Sequence, residues 1–257
     1  HQVNGSINGS PAAIDLDQDG DLEVVFTSYN GGTGDVHAIH HNGSTFFGFP
    51  VYLNEKMVGG AAAGDLDGDG YPEIVVCTDD DNVYAIKKDG SIMSGFPFTS
   101  TDRFFNAPTL VDIDGDSDLE IVVGNRRGTL QVLHHDGTEM ASYEVGDDIR
   151  GGISVADLND DGSYELLVTS YEDMIHVWNP VDGAELEGWP VDMGSNALTE
   201  PVTADLDNDG DLEVVATTRS GMAYVFHHDA TPYNNFPASL GGNVESSPAI
   251  GDIDGDG

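Results

Sequence analysis

The sequence predicts an all-β fold, a β-propeller of four-stranded antiparallel blades. Three observations carry that expectation. One acidic loop recurs six times along 257 residues, at spacings of 45 to 50 residues. Each of the first five copies leads into a short apolar run rich in β-branched residues. No stretch of ten or more residues keeps helical periodicity. A fixed period of that size marks a chain of like supersecondary units, and four strands per unit make a propeller blade.

Aligning the copies separates four parts. A small-residue approach precedes the loop at 10–14 (SPAAI), 60–64 (GAAAG), 107–111 (APTLV) and 247–251 (SPAIG). An apolar run follows the loop at 22–26 (LEVVF), 73–77 (EIVVC), 119–123 (LEIVV), 165–168 (ELLV) and 212–216 (LEVVA). These second strands are apolar throughout, as expected where neighbouring blades cover both faces. Third runs lie at 36–39, 83–86, 130–133, 175–178 and 223–226. They lead into hairpin signals such as Asn42-Gly43, Asp89-Gly90, Asp136-Gly137 and Asp182-Gly183. The fourth segment carries Gly48-Phe49-Pro50, Gly95-Phe96-Pro97, Gly188-Trp189-Pro190 or Asn235-Phe236-Pro237, and the third repeat lacks this signature. Proline suits an edge strand, where a missing N–H costs least, and each aromatic is expected to plug the gap between blades. The small first strands fit a crowded central channel.

The repeats run approximately 10–59, 60–106, 107–151, 152–199 and 200–246, with a partial sixth at 247–257. Residues 1–14 and 244–252 both read as a first strand. The expectation is therefore a single propeller domain or a segment of one, most simply part of a seven-bladed ring, with six or eight blades as alternatives.

The formal charge is −39, from 8 Lys+Arg against 47 Asp+Glu. Nucleic acid and anionic membrane surfaces both need basic side chains that this chain lacks. The acid is local: 26 of the 47 acidic residues lie in the repeated loops. A hydrophobic content of 39% argues against disorder. Cys77, the lone cysteine, sits in a β-run and reads as a small buried hydrophobe. No apolar stretch reaches the roughly 18 residues of a membrane span.

Carboxylates on alternate positions followed by glycine are what a hard, oxygen-seeking cation such as Ca²⁺ requires. The first loop offers Asp15, Asp17 and Asp19 at positions 1, 3 and 5, the carbonyl of Asp21 at position 7 and Glu23 at position 9. Equivalent sets are Asp65, Asp67, Asp69, Tyr71 and Glu73; Asp112, Asp114, Asp116, Asp118 and Glu120; Asp157, Asn159, Asp161, Ser163 and Glu165; and Asp205, Asp207, Asp209, Asp211 and Glu213. An EF-hand would need a glutamate at position 12, which here is Phe26, Val76, Val123, Val168 or Ala216. Magnesium keeps its waters and seldom uses an all-protein cage. Without an ion the carboxylates of each turn would repel one another uncompensated. Ser117 replaces glycine in the third loop, where a weaker or distorted site is expected.

These residues resemble the FG-GAP or VCBS repeats of integrin-α-like propellers, whose blades carry a calcium loop of the form D-x-D-x-D-G-x-x-D/E. The resemblance covers the whole chain. It implies calcium on the five sets above, in the hairpin between the first two strands of each blade. The Gly-Ala-Pro that follows the second strand in animal integrins is replaced by Thr27-Ser28, Gly124-Asn125 or Thr217-Thr218. That points away from integrin-type partners and toward a bacterial protein, extracellular or on the cell surface.

The expected function is a non-catalytic, calcium-binding adhesion module that takes a protein or glycan partner on its loops, with further blades or domains in a longer chain. Stretches 28–34, 98–106, 144–152, 192–200 and 229–235 depart most from the repeat, and Tyr29, Phe104, Phe105 and Tyr233 are candidate stacking residues. The alternative is the propeller of a polysaccharide-active enzyme. Residues 161–168 with 178–180 resemble rhamnogalacturonan lyases, although 8 basic residues make a cationic cleft hard to assemble. Histidine pairs at His40-His41, His134-His135 and His227-His228 share a repeat position and read as exposed strand ends, since adjacent strand residues point to opposite faces.

Overall fold

The computed structural model describes residue 3 and residues 5–252. Among them are five four-stranded sheets and no helix, so none could cross a membrane. Blade 1 comprises β1 (Ala12–Ile14), β2 (Glu23–Asn30), β3 (Thr33–Ile39) and β4 (Val51–Tyr52). Blade 2 comprises β5 (Ala61–Gly64), β6 (Glu73–Cys77), β7 (Asn82–Ile86) and β8 (Phe98–Thr99). Blade 3 comprises β9 (Thr109–Val111), β10 (Glu120–Gly124), β11 (Thr129–Leu133) and β12 (Glu139–Glu144). Blade 4 comprises β13 (Ile153–Ala156), β14 (Glu165–Thr169), β15 (Met174–Trp178) and β16 (Val191–Asp192). Blade 5 comprises β17 (Val202–Ala204), β18 (Glu213–Thr217), β19 (Met222–Phe226) and β20 (Ala238–Ser239).

Strands pair antiparallel in chain order within every sheet, so the first and fourth are edges. This is the blade architecture of a β-propeller. Blades 1–3 lie in one compact unit and blades 4–5 in a second. The sixth acidic loop lies outside the described residues beyond Asp252. Residues 244–252, expected as another first strand, have no strand neighbour and form no strand.

The second strands show why they are apolar throughout. In β6, Ile74 and Val76 join a core with Val25, Val36 and Ala38 of blade 1, whereas Val75 and Cys77 join one with Ile121 and Val123 of blade 3. Alternation is present, but both faces are buried, so both are apolar. In the second unit, Leu167 and Val177 of blade 4 pack against Val214 and Ala216 of blade 5. Cys77 is buried, and burial pushes its thiol well above the ordinary range.

Prolines 50, 97, 190 and 237 each immediately precede a two-residue edge strand, as a residue without an N–H should. Phe49 of blade 1 belongs to the core shared with blade 2, and Trp189 of blade 4 packs edge-on against Phe226 of blade 5, with ring centroids 5.6 Å apart. The Trp189 indole N–H also donates to the His228 carbonyl at 2.9 Å. Blade 3 lacks the aromatic-proline segment, and its fourth strand continues for six residues.

β5 packs against both β1 and β9, so first strands of successive blades adjoin. Their approaches are crowded as expected: a Cβ on Gly9 would lie 2.3 Å from the Gly60 nitrogen. The stretch 28–34 is not an irregular loop. β2 and β3 extend together to a tight turn at Gly31-Gly32, both with positive φ.

Gly95, at φ +94, lies where a Cβ would come 1.9 Å from the Asp136 carbonyl oxygen of the next blade, whereas a Cβ on Gly43, at φ +82, would meet nothing within 4 Å. Gly95→Ala should therefore lower stability by roughly 2–4 kcal/mol, combining a left-handed conformation with a backbone clash. Gly43→Ala should cost only about 1–2 kcal/mol. Urea denaturation of the two variants side by side checks the difference.

Candidate metal centres

Each acidic loop is held between the ends of the first and second strands of a blade. In four loops the position-2 residue points inward: Leu16, Leu66 and Leu158 are fully buried and Ile113 nearly so, whereas Leu206 of the fifth loop is 36% exposed. Leu16 belongs to the core between blades 1 and 2. The carbonyls of Leu66 and Leu158 accept the N–H of Leu119 and Leu212, at position 8 of the following loop, at 3.2 and 2.8 Å. An apolar anchor and a backbone bridge thus fix each of these loops to its neighbour. The sequence reading passed over that anchor, although the Leu/Ile after every first aspartate signals it.

Within the loop, the turn is tied by its own acids. The position-6 N–H donates to the first aspartate, from Gly20 to Asp15 at 3.0 Å, Gly70 to Asp65 at 2.9 Å, Gly162 to Asp157 at 2.9 Å and Gly210 to Asp205 at 3.2 Å. The position-7 N–H donates to the fifth-position carboxylate in all five loops, at 2.8–3.0 Å. Positions 4 and 6 both adopt positive φ, which the sequence showed only at position 6. Gln18, Asp160 and Asn208 take the left-handed conformation at position 4. Ser117 keeps the turn of the glycines it replaces, at φ 81, and its N–H still reaches Asp112 at 3.2 Å. The turn is conserved in shape there at the expense of backbone strain.

The ninth position is the pivot. Glu23, Glu73, Glu120, Glu165 and Glu213 each begin a second strand and are 0–2% exposed. One carboxylate oxygen of each accepts the position-2 N–H at 2.7–3.1 Å. The other faces the end of the third strand. There the histidine pairs prove to be more than exposed strand ends. His40 and His227 place Nδ1 2.9 and 3.1 Å from Glu23 and Glu213. The second members, His41, His135 and His228, sit 3.3, 3.0 and 3.0 Å from Asp21, Asp118 and Asp211. Both members reach the same loop because the pair lies just past the strand, where pleat alternation has ended. The position-7 side chains are thus turned toward histidine, which leaves their carbonyls as the available position-7 donors. Lys87 occupies the corresponding place in blade 2, 3.3 Å from Asp67.

The structure gathers Asp15, Asp17 and Asp19; Asp65, Asp67 and Glu73; and Asp112, Asp114 and Asp116 into groups whose oxygens lie within 4.8 Å of one another. It also gathers Asp207 with Glu213 and His227. A metal ion fits these groups on two observations. Asp65 Oδ1 and Glu120 Oε1 are buried without a hydrogen-bond partner, a costly state for a carboxylate unless a cation is close. Burial pushes the Glu73 carboxyl up to about 7, with Asp67 and Asp69 adding to the rise against the Leu66 N–H and Lys87. Burial likewise raises Glu120 and Glu165, helped by the aspartates of their own loops.

Of the candidate stacking residues, Phe104 is 1% exposed and packs in the core between blades 2 and 3, so it offers no platform. Tyr29 and Phe105 remain half-buried, beneath Lys56 and Arg103 at 5.8 and 5.6 Å. Tyr233 stacks obliquely on His227 at 5.1 Å.

The chain belongs to the FG-GAP-like repeat family, whose pattern matches residues 15–76, 65–123, 112–168, 157–216 and 205–257. No curated protein sequence matches the chain. Among solved structures, the fold is similar to the V. cholerae biofilm matrix protein Bap1, at TM-score 0.67 and 20% identity over 92% of this chain. The chain spans about two-fifths of that protein, 41% of its length. It is also similar to BamB from Moraxella catarrhalis, at TM-score 0.61 and 14% identity, covering 97% of this chain and 79% of that one. BBS1N, solved in complex with ARL6DN, matches at TM-score 0.57 and 11% identity, covering 94% and 85%. At these identities the likeness establishes the fold alone.

The raised Glu73 pKa carries a pH dependence. Between about pH 4.5 and 7 the folded, ion-free protein holds a proton on Glu73 that the unfolded chain has released. Its stability should therefore fall as pH rises through that window. A bound cation reverses the sense, because it requires the ionised carboxylate. Melting temperatures recorded against pH in EDTA should show the decline, and Glu73→Gln should flatten it.

Proposed function

We propose that the protein is a calcium-stabilised propeller module of an extracellular or cell-surface bacterial protein, which binds a protein or glycan partner without catalysis. The observation that carries the calcium reading is the fivefold recurrence of one buried glutamate. Each stands beside a tied turn of acids, and blades 2 and 3 leave a buried carboxylate oxygen unpaired. Ca²⁺ takes six to eight oxygen ligands and tolerates irregular geometry. The five sets named from the sequence supply such oxygens: carboxylates at positions 1, 3, 5 and 9, an amide in Asn159, and the carbonyls of Asp21, Tyr71, Asp118, Ser163 and Asp211. Five ions would offset about ten of the 39 negative charges.

The binding reading is favoured over catalysis by how the side chains are committed. Lys56 and Arg103 share Asp79; Lys87 pairs with Asp67, Arg150 with Asp148 and Arg219 with Glu245. A lyase needs cations converging on a uronate, and these face the protein's own acids. Ser28 Oγ lies 2.9 Å from His37 Nε2, a nucleophile–base distance, but both are buried in strands where no substrate reaches them. A matrix protein and a protein-bound domain among similar folds accord with a scaffold that presents surfaces.

Chelation should lower the melting temperature and Ca²⁺ should restore it, while Mg²⁺ restores little. At tenfold excess over Kd each site adds about 1.4 kcal/mol. Differential scanning calorimetry in EDTA, Ca²⁺ and Mg²⁺ tests this, and an unchanged transition after exhaustive chelation removes the calcium reading. A glycan array and pull-down with the intact protein test the partner. Lyase or hydrolase turnover abolished by one substitution outside the acidic loops would replace binding with catalysis.

A further inference from the structure

Blade 3 differs from its neighbours at the pivot. Glu120 is fully buried, its Oε2 accepts the Ile113 N–H at 2.9 Å, and its Oε1 has no hydrogen-bond partner. His134 faces that oxygen, as His40 and His227 face theirs, but its Nδ1 stands 3.6 Å away instead of 2.9 or 3.1 Å. That separation is too long for an N–H···O bond, which spans about 2.7–3.2 Å. It is close to the spacing of two ligands on one small dication: with Zn–N and Zn–O bonds of about 2.0–2.2 Å, tetrahedral neighbours lie about 3.3–3.5 Å apart. Asp114 completes the set, with one donor atom from each of the three residues within 4.8 Å of the others.

We propose that Asp114, Glu120 and His134 form a mixed carboxylate–imidazole site that takes a borderline dication of the zinc class in preference to calcium. This rests on the reading of the acidic loops as cation sites and departs from it in one blade. Imidazole suits zinc, whereas calcium selects oxygen. Two carboxylates and one imidazole leave a fourth position for water, the ligand count of an open zinc site. Glu120 would contribute the oxygen that now lacks a partner, and its other oxygen stays fixed by Ile113. The His134 side chain is 37% exposed, which gives the ion a path in. In blades 1 and 5 the imidazole instead hydrogen-bonds to the glutamate, at 2.9 and 3.1 Å, so although blade 5 gathers the same trio in Asp207, Glu213 and His227, its glutamate oxygen already has a partner. Lys87 excludes nitrogen ligation in blade 2, and blade 4 has Asn179 at the corresponding position.

The test is a Zn²⁺ titration of the full chain in 1 mM Ca²⁺, with Co²⁺ as the visible probe. One Zn²⁺ should bind per chain, His134→Gln should weaken it ~10-fold or more, and His40→Gln should leave it within about twofold. Bound Co²⁺ should absorb as a low-coordinate nitrogen-ligated ion in the unaltered protein, a readout independent of whether the variant folds. The proposal is overturned by no Zn²⁺ binding in calcium, by affinity indifferent to His134, by loss with His227→Gln instead, or by an all-oxygen six-coordinate Co²⁺ spectrum. Those failures would leave calcium-induced stabilisation of the intact protein in place. Failure of the calcium reading would show as its absence.

Discussion

A glutamate with almost no solvent contact begins the second strand of every blade, and the local structure is arranged around keeping it there. Its carboxylate reaches back seven residues to the N–H of the loop's second position, closing the acidic turn onto the strand. A buried carboxylate is stable only when both oxygens are matched. One backbone donor matches the first. The second is met by a histidine hydrogen bond in blades 1 and 5, whereas in blade 3 it faces His134 at 3.6 Å without one. Three further acids are packed into most of the same turns, so negative charge accumulates around each buried glutamate.

That local imbalance is coupled to the packing between blades. In four blades the residue whose N–H holds the glutamate also sends an apolar side chain inward, and in two of them its carbonyl receives the next loop's N–H. Loosening a turn therefore disturbs the interface beside it. A cation bound at such a site would stabilise the neighbouring blade as well as its own. Two of the aromatics that precede a proline perform a matching task, with Phe49 and Trp189 seated against the following blade. Blade 3 replaces that plug with a longer edge strand, so its fourth segment gains ladder bonds where the others gain an aromatic contact.

The sequence made the strands legible because period and composition coincide. The second strands β6 and β10 are apolar at every position after glutamate, β14 at every one but its last, Thr169, and all three are buried at every position. The proline-marked edges were legible for the same local reason, a missing N–H. The positions of the acids along each turn could also be read. What the turn does with its side chains could not, because hydrogen-bond direction depends on backbone φ at positions 4 and 6. The histidine pairs do lie at strand ends, as expected, but they do not point to opposite faces: pleat alternation stops at Ile39, Leu133 and Phe226, and the pairs begin after it. Phe104 was misjudged because an aromatic in an irregular stretch looks available until the next blade is built against it.

The same place at the end of the third strand is filled by His40, Lys87, His134, Asn179 and His227 in turn, while the turn it faces hardly changes. A repeated loop of fixed shape thus meets an imidazole in three blades, a permanent cation in blade 2 and an uncharged amide in blade 4. Lys87 already neutralises part of the acid around Asp67, so an arriving ion gains less there from charge alone. Asn179 neutralises nothing, since its side-chain oxygen accepts the N–H groups of Val181 and Asp182 in its own turn. The scaffold's uniformity therefore does not imply uniform affinity. It holds five similar cradles, and a single side chain from the adjacent strand sets the charge that each cradle presents.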